Sequence, residues 1–193
     1  TSDQLNTALL TGATDIGAGI ADADLFLVDD GAGGTLRKTA ASRLKTYIPD
    51  NTPAFHAYMS SNQSISNGTN TKIAFNSERI DTDSAFDTTN NRFVVPSGGA
   101  GKYVFTYWVK MAVDDGKIVQ LILYKNGSEL SGEETRANFF SSASNQSITS
   151  LMSFVDTASA SDYYEVFIYQ NNGSSANALQ ESSGFMGFKL AGA

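Results

Sequence analysis

The sequence predicts an all-β fold, an antiparallel sandwich or jelly roll of about eight strands, preceded by a small β-hairpin and one short helix. Three observations predict it. From Pro53 onward, short stretches of alternating apolar and polar residues are broken by polar loops, with no helical period between them. Asn126-Gly127 between two such stretches is a tight-hairpin signal. The 193 residues, 41% hydrophobic and 11% aromatic, suffice for one large sandwich core.

Taken in order, residues 1–50 differ in texture from the rest. In "DLFLVDDGAGGTLRKTA" a strand, a glycine turn and a second strand follow one another, and "ASRLKTYIPD" predicts a short helix stopped by Pro49. A hairpin with one helical turn buries little surface by itself, so this segment is expected to lean on a partner. Residues 51–193 form the second region. "AFHAYMS" sets Phe55, Ala57 and Met59 against His56 and Tyr58, and "TKIAFN" puts Ile73 and Phe75 on one side. "RFVVP", "GKYVFTYWVKM", "KIVQLILYKNGSEL", "ITSLMSFVD", "DYYEVFIYQNNG" and "SGFMGFKL" supply the remaining strands. In "YVFTYWV", Tyr103, Phe105, Tyr107 and Val109 face one way and Val104 and Trp108 the other. Antiparallel sheets commonly leave one face wet, so a strand apolar on both faces is expected to meet a neighbouring subunit.

Composition excludes several function classes. The formal charge of −7, from 13 basic and 20 acidic residues, lacks a nucleic-acid footprint. With no cysteine and one histidine, His56, neither a disulfide framework nor a multi-histidine metal site within one chain is possible. No apolar run reaches the roughly 18 residues of a membrane-spanning helix, and the first residues lack a secretory pattern. The chain is expected to be soluble.

Fixed spacing carries a resemblance. Phe75, Asp81, Phe86, Phe93, Gly101, Tyr103, Phe105 and Tyr107 reproduce the signature of the complement globular-head domain, a branch of the tumour-necrosis-factor-like jelly rolls. "PAFHAYMS" resembles that family's opening strand and "SSGFMGFKL" its closing one, so the likeness covers about residues 53–190. One gap departs: Phe93 to Gly101, filled by "VVPSGGA", is two residues longer than in the family, which suggests a longer turn. The resemblance implies a jelly roll of ten strands assembled as a homotrimer, with Tyr103, Phe105, Tyr107 and Trp108 expected at the contact and Phe75, Asp81, Phe86, Phe93 and Gly101 as framework. It also includes members that hold calcium near the trimer apex. No collagen repeat precedes residue 53. Instead, "ADADLFLVDD" with "GTLRKTAASRLKTYI" resembles a short module at the start of bacteriophage virion proteins.

Catalytic patterns are weak. A Ser-His-Asp arrangement would have to use His56, which sits in a strand beside Phe55 and reads as an ordinary strand residue. Asp114, Asp115, Glu133 and Glu134 lie in polar loops, where acids are usually solvated rather than paired across a sugar. Asp81, Asp83 and Asp87 are the only calcium candidates, set against a capping role, and no other cofactor is expected. The loops "SSNQSISNGTNT", "SSASNQSITS" and "QNNGSSANALQESS" suit either hydration or hydrogen bonding to sugar hydroxyls. The expected function is therefore that of a non-enzymatic bacteriophage structural protein. Residues 1–50 would attach it to a capsid or tail protein, and residues 51–193 would form a homotrimeric head exposed on the virion, as a capsid decoration, head fibre or short fibre. The alternative is a tail-fibre tip that binds a host receptor or surface glycan.

Overall fold

Period-two alternation along the strands decides which side chains meet between sheets and which face out. A computed structural model gives the arrangement and describes residues 17–29, 36–46, 51–130, 136–142 and 146–191. Two compact units result, Thr1–Pro49 and Asp50–Ala193.

In the first unit, β1 (Leu25–Asp29) pairs antiparallel with β2 (Leu36–Ala40), Leu25 opposite Ala40 and Asp29 opposite Leu36. A 3-10 helix, Ala41–Thr46, follows at once. Its start is tied to the strand entry: the Ala41 N–H donates to the Asp24 carbonyl (2.7 Å) and that of Ser42 to the Asp22 carbonyl (3.3 Å). The glycine turn expected after Asp29 and the Pro49 stop lie outside the described residues. Leu25 and Leu27 are exposed on one side of the ribbon.

The second unit is a sandwich of two antiparallel sheets. One contains β5 (Thr71–Lys72), β7 (Phe86–Asp87), β8 (Arg92–Val94), β10 (Ile118–Lys125), β11 (Ser128–Glu129), β12 (Arg136–Phe140) and β14 (Tyr163–Gln170). Its order is β11-β10-β14-β8-β7, with β12 also on β10 and β5 also on β14. The other contains β3 (Ala54–Tyr58), β4 (Gln63–Ile65), β6 (Ser77–Asp81), β9 (Gly101–Val113), β13 (Gln146–Ala158) and β15 (Ala176–Lys189). It runs β13-β9-β15-β3-β6, with β4 on β15. The pairing of first and last strands, β3 on β15, and the crossover that puts β15 beside β9 make this a jelly roll.

Aromatic rings fill the space between the sheets. Phe55 stacks on Phe93 (4.6 Å between centroids) and Phe86 (5.2 Å), and Phe105 sits 4.3 Å from Tyr164. Phe75, Phe93, Phe105, Phe185, Tyr103, Tyr107 and Tyr164 are fully buried; each such side chain contributes roughly 1.5–3 kcal/mol by leaving water. Tyr103 donates its hydroxyl proton to the Gly99 carbonyl (2.6 Å), pinning the turn of the "PSGGA" insertion, where Gly98 takes φ 77°. At Asn126-Gly127 both residues have positive φ (54° and 78°), as a two-residue primed turn between β10 and β11 requires.

Three expectations need correction. Tyr103, Phe105 and Tyr107 point between the sheets of a single chain and are wholly buried there, so no neighbouring subunit reaches them. Alternation had separated the two faces of β9 but not said which faced its own sandwich. Ile73 and Phe75 are buried, yet the strand there is only Thr71–Lys72. Finally, residues 146–147 and 176–182, read as loop, are strand. Their polar side chains carry little pattern, but β9 pairs along the start of β13, and β4 and β9 together pair with Ala176–Leu179. A bulge between Leu179 and Gly184 is stitched by Ser183, whose hydroxyl donates to the Leu179 carbonyl (2.7 Å) and accepts the Lys110 N–H (3.1 Å).

Candidate assembly face

Register and burial define an apolar surface on the outer face of the six-stranded sheet. Three rows of side chains cross it. Leu151 lies opposite Trp108, which lies opposite Gly184, itself opposite Tyr58. Next come Ser153, Thr106, Met186, His56 and Ile80. The third row holds Val155, Val104, Phe188 and Ala54. Leu151, Val155 and Ile80 are more than half exposed, at 54%, 53% and 53%, although three apolar residues gain nothing from water. The polar groups inside the rows satisfy one another: the Thr106 and Ser153 hydroxyls are hydrogen-bonded at 2.8 Å.

Trp108 is shaped by what lies beneath it. Its indole rests on Gly184 so closely that a Cβ at that position would overlap the ring. The indole then reaches the His56 ring, 5.7 Å away between centroids and inclined at 50°. Partial burial, and secondarily the positive charge of Arg79, lower the His56 pKa below its ordinary value. The imidazole is therefore neutral near pH 7, which suits an apolar face. The Arg79 guanidinium covers the Tyr58 ring at 5.1 Å and closes one margin. Of the four residues expected at a subunit contact, only Trp108 belongs to this face. Leu151, Val155, Ile80 and Gly184 were missed; in "ITSLMSFVD" the signal was present, since Leu151 and Val155 share a parity opposite to Met152 and Phe154.

The remaining named residues are framework. Phe75, Phe86 and Phe93 pack in the core, and Gly101 opens β9 opposite Ala158. Asp81 ends β6 and accepts the Ala85 and Phe86 N–H groups (2.9 and 3.1 Å), which holds the turn into β7. Asp87 accepts the Asn90 side-chain amide (2.7 Å) and the N–H groups of Asn90 and Thr89, and faces Arg92 at 3.5 Å. The Asn90 side-chain bond, then the backbone bonds, hold its carboxyl below the usual range. Asp83, at φ 65°, lines a separate small pocket with Thr52, Pro53, Pro96 and Lys189. The three aspartates thus do not converge, and among the described residues no group of three or more histidine or acidic side chains does. Glu133 and Glu134 lie outside the described residues.

Comparison with known proteins agrees with this architecture. The model of the C1q domain family matches residues 54–190. The globular domain of a zebrafish complement 1qA protein superposes with a TM-score of 0.50 at 20% identity, covering 72% of this chain and 98% of that one. Murine APRIL at pH 5.0 gives a TM-score of 0.53 at 13% identity, covering 71% and 98%. At such identities the likeness to solved structures speaks for the fold alone. No curated protein matches the chain in sequence.

Proposed function

The chain belongs to the C1q domain family through residues 54–190, and on that premise we propose that it is a non-enzymatic, homotrimeric surface projection of a bacteriophage virion. Residues 51–193 are the head, and residues 1–50 attach it to a capsid or tail protein. The observation that carries the assembly is the outer face of the six-stranded sheet, where Leu151, Val155 and Ile80 stand exposed on the same side as Trp108. Such a face suits a second and third copy, because a closed threefold ring repeats one head-to-tail contact and so buries the same residues on every subunit. The hairpin of residues 1–50 supports attachment: two strands are marginal alone, and Leu25 and Leu27 are left exposed on it. The likeness of "ADADLFLVDD" and "GTLRKTAASRLKTYI" to virion modules supplies the virion.

Light scattering on the full chain tests the assembly, with three chain masses expected and a stable monomer at micromolar concentration against it. Imaging of particles tests the location: density for the head on a capsid or tail is expected, and its absence from purified virions overturns the virion reading. A second reading, recognition of a host surface glycan, is favoured by one observation, the aromatic and amide chemistry of the opposite sheet.

A further inference from the structure

The two sheets present different chemistry outward. On the seven-stranded sheet, Asn138, Gln120 and Tyr169 form one row across β12, β10 and β14, and Phe140 lies beside them opposite Ile118. Phe140 is 62% exposed and Tyr169 half-buried. Gln120 donates its amide to the Asn138 side-chain oxygen at 2.5 Å. That bond fixes both amide planes and leaves the Gln120 oxygen and the Asn138 nitrogen for a ligand. Farther along, Tyr124 stacks on Phe167 at 3.9 Å, and Ile122 is fully buried although it is on the outer face. The face thus carries a stacked ring pair, Tyr124 on Phe167, as well as Phe140 and Tyr169.

We propose that this face is a binding platform for a neutral glycan. A pyranose presents apolar C–H faces and equatorial hydroxyls; Phe140 and Tyr169 match the first and the held amides the second. Strands β12 and β14 are separated by β10, about 10 Å in all, so an oligosaccharide rather than one sugar reaches both rings. Charge selects the occupant. Glu165 is neutralised by Lys72 (2.8 Å) and Asp87 faces Arg92 (3.5 Å), so these two acids are matched internally. The chain as a whole carries −7 and repels anionic polymers. Another protein copy is better served by the aliphatic face of the other sheet, where no such amide pair requires a hydrogen-bonding partner. The proposal rests on the glycan reading and requires neither a trimer nor a virion.

The test is affinity electrophoresis of the full chain through gels containing dextran, mannan, xylan or galactomannan, with alginate as the anionic control. At least one neutral polymer is expected to retard the protein, with little change when salt is raised. Tyr169→Ala and Phe140→Ala should each weaken that binding about tenfold, while Tyr169→Phe, which keeps the ring, retains most of it. Circular dichroism and light scattering on the same samples separate loss of binding from loss of fold. Retardation by no neutral polymer overturns the proposal, as does equal binding by the alanine variants, or binding to alginate alone that salt abolishes. A monomer that binds supports this proposal while sinking the assembly above; a trimer that binds nothing does the reverse.

Discussion

At Trp108 one side chain reports on two interfaces, the sheet beneath it and whatever covers it. Trp108→Asp places a charge among Leu151, Gly184 and His56 without touching the core, so the chain is expected to remain folded and to lose the proposed trimer. Phe105→Asp buries an unpaired charge between the sheets instead, at a cost of several kcal/mol, and should unfold the head. Light scattering and near-UV circular dichroism on the pair distinguish assembly from folding. Gly184→Ala forces the indole off its seat, with an expected loss of about 1–3 kcal/mol, read as a lowered Tm and a shifted tryptophan emission. His56 adds a pH dependence. Its folded-state pKa is depressed, first by burial and then by Arg79. The unfolded chain consequently takes up the proton first as pH falls. The stability contributed by the neutral ring is complete above about pH 6.5 and is lost on acidification below it. Thermal melts between pH 7 and 5 should show this fall, and His56→Gln should flatten it.

Elements are joined by a polar bolt as well as by rings. Lys125 at the end of β10 places its ammonium 2.9 Å from Asp156 on β13, 2.9 Å from the Thr157 carbonyl and 3.2 Å from Asp162. Tyr164 on β14 donates its hydroxyl proton to the same Asp156 oxygen at 2.6 Å. One cation therefore couples the two sheets. Burial alone would lower the lysine pKa, but the hydrogen bonds and charges of Asp156 and Asp162 outweigh it and raise the value. Tyr164 is pushed above the usual phenol range, by burial first and by Asp156 second. Lys125→Met leaves two carboxylates facing each other without a cation, partly shielded by solvent. The expected loss is about 2 kcal/mol, between exposed and buried pairs, measured by urea unfolding at pH 7.

For the whole molecule, the division into Thr1–Pro49 and Asp50–Ala193 sets the decisive experiment. Deleting residues 1–50 is expected to leave a head of unchanged Tm and oligomeric state that no longer joins particles, checked by scattering and by sedimentation with virions. A truncated head that fails to fold places the boundary elsewhere. The sequence by itself determined the sandwich, its aromatic framework and the hairpin at Asn126-Gly127. Alternation, ring spacing and positive φ are local properties that survive without knowledge of neighbours. It also determined that Trp108 stands on the opposite side of β9 from Tyr103, Phe105 and Tyr107. Only the tertiary structure decided which side is core, because both faces of that strand are apolar and parity alone cannot tell a partner sheet from a partner chain. The same holds for the polar stretches 146–147 and 176–182: Ser, Asn and Gln read as loop until neighbouring strands pair with them, β9 for the first and β4 with β9 for Ala176–Leu179. The apolar rows across β13, β9, β15, β3 and β6 are equally a product of register. Residues far apart in the chain become one surface only when hydrogen bonds between strands align them.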